Sequence, residues 1–361
     1  MVINFADAFD AKTEYFYFNN VALKITPDSI RTVSYDDINF FIPSLAKKPY
    51  DFTMRVFKAP FTITERQEYR DRLEAIDKKE KMQNEDGSLV FSTFEIGQMK
   101  ADLEEWAQTY RWDVNWQGNQ EKDLWPILRI VRGCSNVLWE REQEAQRNKE
   151  ELTELEKAVI GAHFVNMISG IGRLCYRSDK GMMPVCPYFL EDDIPDEKQA
   201  TGGSGKSIIV KLVVGSAVNV LDIDMKRMEH INDARFVLGN LLSEPFKYRV
   251  LHWEDKQKGF PMKYFYNMVT TGLTIEKKNV DQELVPLKDA PKHVITCNYP
   301  LSDDDDSTVG RFPLVSFSNR FARANPQKRK AARLMSALMK NFSDKPEEID
   351  DTDRNQAIYI C

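Results

Sequence analysis

QATGGSGKSIIVKL (Gln199–Leu212) is the stretch on which the reading of this chain turns. GGSGKS is either a phosphate-binding loop or a Gly/Ser spacer that contains a lysine. A phosphate loop follows G-x-x-x-x-G-K-[ST], and here Ala200 stands where the first glycine belongs. A spacer leads into further polar, flexible sequence, whereas GGSGKS runs straight into SIIVKLVV, an apolar stretch. A phosphate loop needs a strand before it and a helix after it, so that backbone N–H groups close around an anion at the helix N-terminus. SIIVKLVV fits the helix. PYFL supplies the strand, joined to the loop by a long connection, EDDIPDEKQ. In the loop reading Gly202, Gly203, Ser204 and Gly205 form the anion nest. Lys206 reaches the outer phosphates, and Ser207 holds Mg²⁺. Ala200 fits wherever its φ is negative.

Composition bounds the surroundings. A chain of 361 residues suits two domains, and 42% hydrophobic with 29% charged residues predicts a packed core. No uninterrupted apolar run reaches the roughly 20 residues of a membrane span, and MVINFADAFDAK lacks the pattern of a secretory signal. Cys134, Cys175, Cys186, Cys297 and Cys361 are odd in number, scattered and without CxxC spacing. That argues against a disulfide framework or a zinc site and predicts a reducing cytoplasm. The formal charge of −6 excludes a surface basic all over, though not a local basic strip.

Along the chain, YFYFNNVALKIT reads as a hairpin turning at Asn19-Asn20. From about 62 to 110 the pattern is helical and charged, with a turn at Asp86-Gly87. EQEAQRNKEELTELEK reads as a solvated helix or connector, and 158–177 as a buried helix in which His163 and Asn166 are core polar groups. After residue 180 short apolar strands alternate with helices, which predicts an α/β domain with a mostly parallel sheet and flanking helices. The expected division is a mixed α+β, largely helical N-terminal domain over 1–155, a P-loop α/β domain over 156–325, and a basic helix with an acidic tail over 326–361.

If the loop is real, acids and polar groups belong at later strand ends. Asp233 in MEHINDAR lacks a leading strand and reads as a turn or cap residue. KYRVLHWED ends in Glu254-Asp255, two carboxylates at the strand end where an α/β sheet places its site; the bland alternative is a solvated strand end. HVITCN ends in Asn298, and VGRFPLVSF presents Arg311 just before another strand. His252 and His293 lie inside strands and read as core residues.

This ordered set resembles helicase superfamily three, the AAA+-related ring helicases, and within it the poxvirus-type primase-helicase proteins of phages, plasmids and mobile elements. GGSGKS, VLHWED, MVTTGLTIEKKN and HVITCN stand in the order of that family's motifs, and Arg311 of VGRF matches its arginine finger. The departures are Ala200 and the long connection before the loop. The resemblance covers about 160 to 320; residues 1–150 suggest only loosely what precedes such domains, and contain no primase metal motif.

The resemblance implies an AAA+-like fold and ATP hydrolysis with Mg²⁺ at subunit interfaces of a homo-oligomeric, hexameric ring moving on single-stranded DNA. It gives Lys206 and the loop amides the phosphate charge, and Ser207 and Asp255 the metal. Glu254 activates the attacking water, Asn298 senses the γ-phosphate, and Arg311 acts in trans. Lys277 and Lys278, on a hairpin, would track DNA in the pore, although paired lysines are commonly just solvated. A primase or origin-binding protein is an expected partner, and a membrane is not. QKRKAARLMSALMK reads as a docking helix, and Asp303 to Asp306 as a solvated loop. Two other readings stay open: a non-helicase P-loop ATPase such as a switch or packaging motor, and an assembly protein with a degenerate nucleotide site. Nothing in the chain supports a hydrolase triad or a metal-centred enzyme.

Overall fold

The computed structural model describes residues 13–38, 42, 46–55, 60–117, 125–176, 184–192, 203–226, 228, 238–239, 247–275, 283–301, 306–321 and 351–361. An antiparallel three-stranded sheet comes first: β1 (Glu14–Tyr17), β2 (Ala22–Thr26) and β3 (Ser29–Val33). Asn19-Asn20 makes the expected β1–β2 turn, closed by the Phe18 N–H donating to Val21 O. The next segment departs from its helical expectation at its start. FTITE alternates β-branched and apolar residues, and forms β4 (Phe61–Glu65), which pairs antiparallel with β5 (Trp112–Trp116). Between them stand α1 (Gln67–Glu80) and α2 (Thr93–Tyr110), the second opened by a capping box of Ser92 and Glu95. Gly87, at φ +81, makes the turn between these helices.

Three helices follow: α3 (Pro126–Ser135), α4 (Trp139–Asn148) and α5 (Glu154–Cys175). By length and composition α5 could cross a membrane. Here Phe164, Met167, Ile171 and Leu174 bury one side of it in the core, while Asn166 is exposed and donates to Leu314 O at 2.8 Å. His163 is partly buried, which lowers its pKa.

The α/β part then runs β6 (Tyr188–Glu191), α6 (Lys206–Ala217), β7 (Val220–Asp224), β8 (Val250–Lys256), α7 (Lys263–Thr270), β9 (Gly272–Ile275), β10 (Glu283–Pro286), β11 (Lys292–Cys297), α8 (Asp306–Arg311), β12 (Leu314–Phe317) and α9 (Asp351–Ile360). Helix α6 is α-helical over Lys206–Ile208, π-helical over Ile209–Val214 and α-helical again over Gly215–Ala217.

Five strands form one all-parallel sheet in the order β12-β6-β11-β8-β7. Both faces are covered, as a parallel sheet requires. Phe189, Val250, Val294, Val315 and Phe317 face a core shared with α3, α5, α6 and α9. The alternate residues Tyr188, Leu251, Trp253 and Ile295 face a second core with Phe265 and Val269 of α7, and Phe312. The first core runs across residue 155 without a break, since Phe16, Phe18, Leu23, Tyr50 and Phe52 join it. Lys48 donates to Gly215 O and Val218 O, and Tyr50 Oη to Ser216 O at 2.8 Å. The N-terminal segment thus caps the carboxyl end of α6, where orphan carbonyls need donors. The last eleven residues do not trail as a tail: α9 buries Ala357, Ile358 and Ile360 in the same core. The basic segment before them lies outside the described residues.

Candidate active site at the carboxyl edge of the sheet

Each group at this edge is placed by a strand end. β6 leads towards the loop, and its last residue, Glu191, is buried. The loop re-enters at Gly203 and Gly205, at φ +88 and +101, in the left-handed region that lets consecutive amides turn inward. Gly205 caps α6, accepting the first helical bond from Ile209 N–H at 3.0 Å. Ser204 is fully buried, and Cys134 of α3 donates to its carbonyl at 3.4 Å. Lys206 is 6% exposed; its Nζ donates to Ser204 Oγ at 2.9 Å and stands 3.6 Å from Glu191 Oε2. Burial lowers the Lys206 pKa, and the Glu191 carboxylate opposes that shift. Ser207 follows, half-buried, in the first turn of α6. Gly202 and Ala200 lie outside the described residues.

The acid pair sits on β8, which is separated from β6 by β11. Two strand spacings put roughly 10 Å between the loop strand and the acid strand. β8 is also irregular at this point. Trp253 pairs with Ile295 and Lys256 with Cys297, so Glu254 and Asp255 together oppose Thr296 alone. This is a β-bulge, and Asp255 adopts φ +55, uncommon for a residue with a side chain. The extra residue breaks the alternation that would send neighbouring side chains to opposite faces. Bulges and left-handed residues of this kind cluster at functional sites. Asp255 pairs with Lys226 at 2.8 Å, which raises the lysine pKa. Glu254 accepts from Lys211 Nζ of α6 at 2.7 Å. Asn298 follows β11 directly and is half-buried beside Cys297, whose thiol donates to Lys256 O at 3.2 Å.

Lys206, Ser207, Glu254, Asp255 and Asn298 are thus gathered at one edge, as the sequence predicts. Arg311 is not. Its carbonyl accepts from Cys186 N–H at 2.8 Å just ahead of β6, so it lies at the amino edge, opposite the loop. There its guanidinium donates to Ser307 O at 2.8 Å and stacks over Tyr266 at 5.0 Å. The hairpin expected near Lys277 and Lys278 exists as the antiparallel pair β9–β10; both lysines fall outside the described residues. His252 and His293 are buried in strands as expected. Trp253 Nε1 donates to His293 Nδ1 at 3.0 Å, and burial pushes His293 down to about 4.

Four further groups stand on the strands and helix of this edge without being among the sequence-predicted residues. Glu191 carries a visible signal, an acid ending the apolar PYFL run. Strand β7 went unread although VLDID alternates apolar and acidic residues, so Asp222 and Asp224 were overlooked. Lys211 has no sequence signal, because its role depends on which strand α6 crosses.

No protein-family model matches the chain, and no curated protein matches it in sequence. Among solved structures the chain is similar to the A form apo structure of the NrS-1 C-terminal region, at 12% identity and TM-score 0.31, over 95% of this chain and 68% of that one. It is also similar to ligand-bound JCV helicase, at 12% identity and TM-score 0.28 over 74% of each chain. A further JCV helicase structure gives 11% identity, TM-score 0.24, and 74% and 75% coverage. Similarity of this degree carries no functional argument, so the reading rests on the geometry of the edge.

Proposed function

We propose that this chain is an ATPase of the P-loop class that works as a ring-shaped DNA helicase or translocase of the superfamily-three kind. The observation that carries the reading is the edge itself. A buried lysine at a glycine-shaped helix start, a bulged acid pair and an amide meet at the ends of three parallel strands. The residues fit a nucleoside triphosphate with Mg²⁺: two left-handed glycines would cradle an anion, and buried Lys206, held among the described residues by Ser204 and the Glu191 carboxylate, would turn to a phosphate. Bound Mg²⁺ would supply charge neutralisation between the phosphates, with Ser207 and Asp255 as its holders. Lys206 and the loop amides balance phosphate charge, Glu254 orients and deprotonates water, and Asn298 hydrogen-bonds that water or the γ-phosphate.

Arg311, at the opposite edge, cannot serve its own loop and is assigned to a neighbouring subunit's site. A finger of this type contributes roughly 10³–10⁵ in rate. This makes the homo-oligomeric ring part of the proposal, with single-stranded DNA as the track and the β9–β10 hairpin as its reader. The test is ATP turnover with and without single-stranded DNA for the wild type and Lys206→Ala. The expected result is DNA-stimulated turnover that Lys206→Ala removes. Turnover indifferent to DNA would favour a non-helicase ATPase, and absence of nucleotide binding by the wild type would overturn the proposal.

A further inference from the structure

Glu254 is not free at its strand end. Lys211 reaches from α6 to its Oε2 at 2.7 Å, and the same ammonium stands 3.8 Å from Asp222 Oδ2 on β7. Asp222 is held in turn: its Oδ1 is 2.6 Å from Nδ1 of His252, which is fully buried. His252 Nε2 lies 3.0 Å from Thr296 Oγ1 on β11. Asp222, His252, Glu254 and Thr296 belong to the alternation that faces α6, so one polar line crosses β7, β8 and β11 beneath that helix. Two local irregularities meet at the Lys211–Glu254 pair. Lys211 occupies the π-helical part of α6, and Glu254 occupies the bulge of β8. π-Segments and bulges both re-aim side chains and recur at functional sites. The pairing keeps Lys211 charged: partial burial works against the ammonium, but hydrogen bonding to Glu254 and the charges of Asp222, Glu254 and Asp255 together outweigh it and raise its pKa.

From this arrangement we infer that Lys211 is a positioning residue that restrains the Glu254 carboxylate, sharing its charge between Glu254 and Asp222. The inference rests on Glu254 being the water-activating base. While the ammonium covers Oε2, that oxygen cannot take a proton from water. When Lys211 moves towards Asp222, the oxygen is exposed. The far end of the line, Thr296, lies two residues before Asn298 on the same strand. A shift of β11 when Asn298 engages a phosphate therefore reaches Asp222 through His252, and sets how Lys211 divides itself. The line is a set of hydrogen bonds with two arrangements of one lysine, not a proton relay.

The consequence is a pair of opposite effects that a merely structural role would not produce. Lys211→Met should raise kcat for ATP by up to about fivefold, the worth of a half-exposed ion pair, with KM unchanged, while Lys211→Arg keeps the wild-type rate. Asp222→Asn removes the competing charge, leaves Lys211 wholly on Glu254 and should lower kcat. That loss should vanish in the Lys211→Met, Asp222→Asn double variant. Unchanged or lowered kcat in Lys211→Met, with its melting temperature intact, overturns the inference while leaving the ATPase reading standing. A wild type that hydrolyses no ATP, alone or with DNA, overturns both. Thermal melts of each variant separate these outcomes from misfolding, which the exposure of Lys211 makes unexpected there.

Discussion

Glu191 and Lys206 are buried beside one another at the end of β6, and their 3.6 Å separation defines a competition. A phosphate that takes Lys206 must do so against a carboxylate in a low-dielectric setting, where like charges repel strongly. Glu191→Gln is therefore expected to tighten nucleotide binding several-fold, measured by titration calorimetry, and to slow product release. His293 offers a separate, testable pH response. Its pKa is about 4 in the fold against an ordinary 6.5, because burial disfavours the charged ring. Between those values the unfolded chain binds a proton that the folded chain refuses, so stability falls as pH drops from 6.5 towards 4. The full loss is about 3 kcal/mol. Above pH 6.5 the group contributes no pH dependence. His293→Gln keeps an acceptor for Trp253 and should flatten that part of the stability curve in denaturant melts.

At the scale of elements, the bulge of β8 and the β9–β10 hairpin each rest on one unusual backbone position. Asp255 sits at φ +55, which Asn tolerates and a β-branched residue does not. Asp255→Asn should fold with a wild-type melting temperature and lose Mg²⁺-dependent turnover. Asp255→Val should in addition destabilise the protein by about 1–3 kcal/mol, read in the same melts. Gly272 opens β9 at φ +135, and a Cβ there would stand 2.3 Å from Val285 O. Gly272→Ala must therefore break the β9–β10 pairing. With the sheet edge untouched, basal ATP turnover should persist while stimulation by single-stranded DNA disappears. Loss of both together would place the hairpin in the fold's stability instead.

The whole molecule divides its chemistry between two edges of one sheet. Lys206, Glu254 and Asn298 stand at the carboxyl edge and Arg311 at the amino edge, so the function proposed above would draw each complete site from two chains. Mixing Lys206→Ala with Arg311→Ala is expected to restore a measurable fraction of turnover that neither variant has alone. Mixed interfaces pair an intact loop with an intact finger. No recovery, with mixed oligomers shown to form, would remove Arg311 from the trans role. The N-terminal segment belongs to the same mechanical unit, because Lys48 and Tyr50 cap α6 from the far end.

Much of this molecule is legible in local sequence. GGSGKS before an apolar helix, and runs such as VLHW and HVITC that end in acids or an amide, place a glycine-turned lysine, an acid pair and an amide at strand ends. The reason is that strand and helix periodicity, and the conformational freedom of glycine, are short-range properties. The β9–β10 hairpin and the Asn19-Asn20 turn were readable for the same reason. What depended on long-range pairing was not. The insertion of β11 between β6 and β8 is set by pairing between distant segments, as is the two-against-one register at Glu254-Asp255. FTITE was drawn out of a helical pattern by its partner strand β5, fifty residues away. Lys211 looks like any solvated helix lysine until α6 is laid across β7 and β8. The sequence alone determined which residue types stand at the strand ends; the tertiary fold decided which of them share one edge of the sheet and that Arg311 stands at the other, because side-chain meetings across a sheet follow strand order rather than chain order.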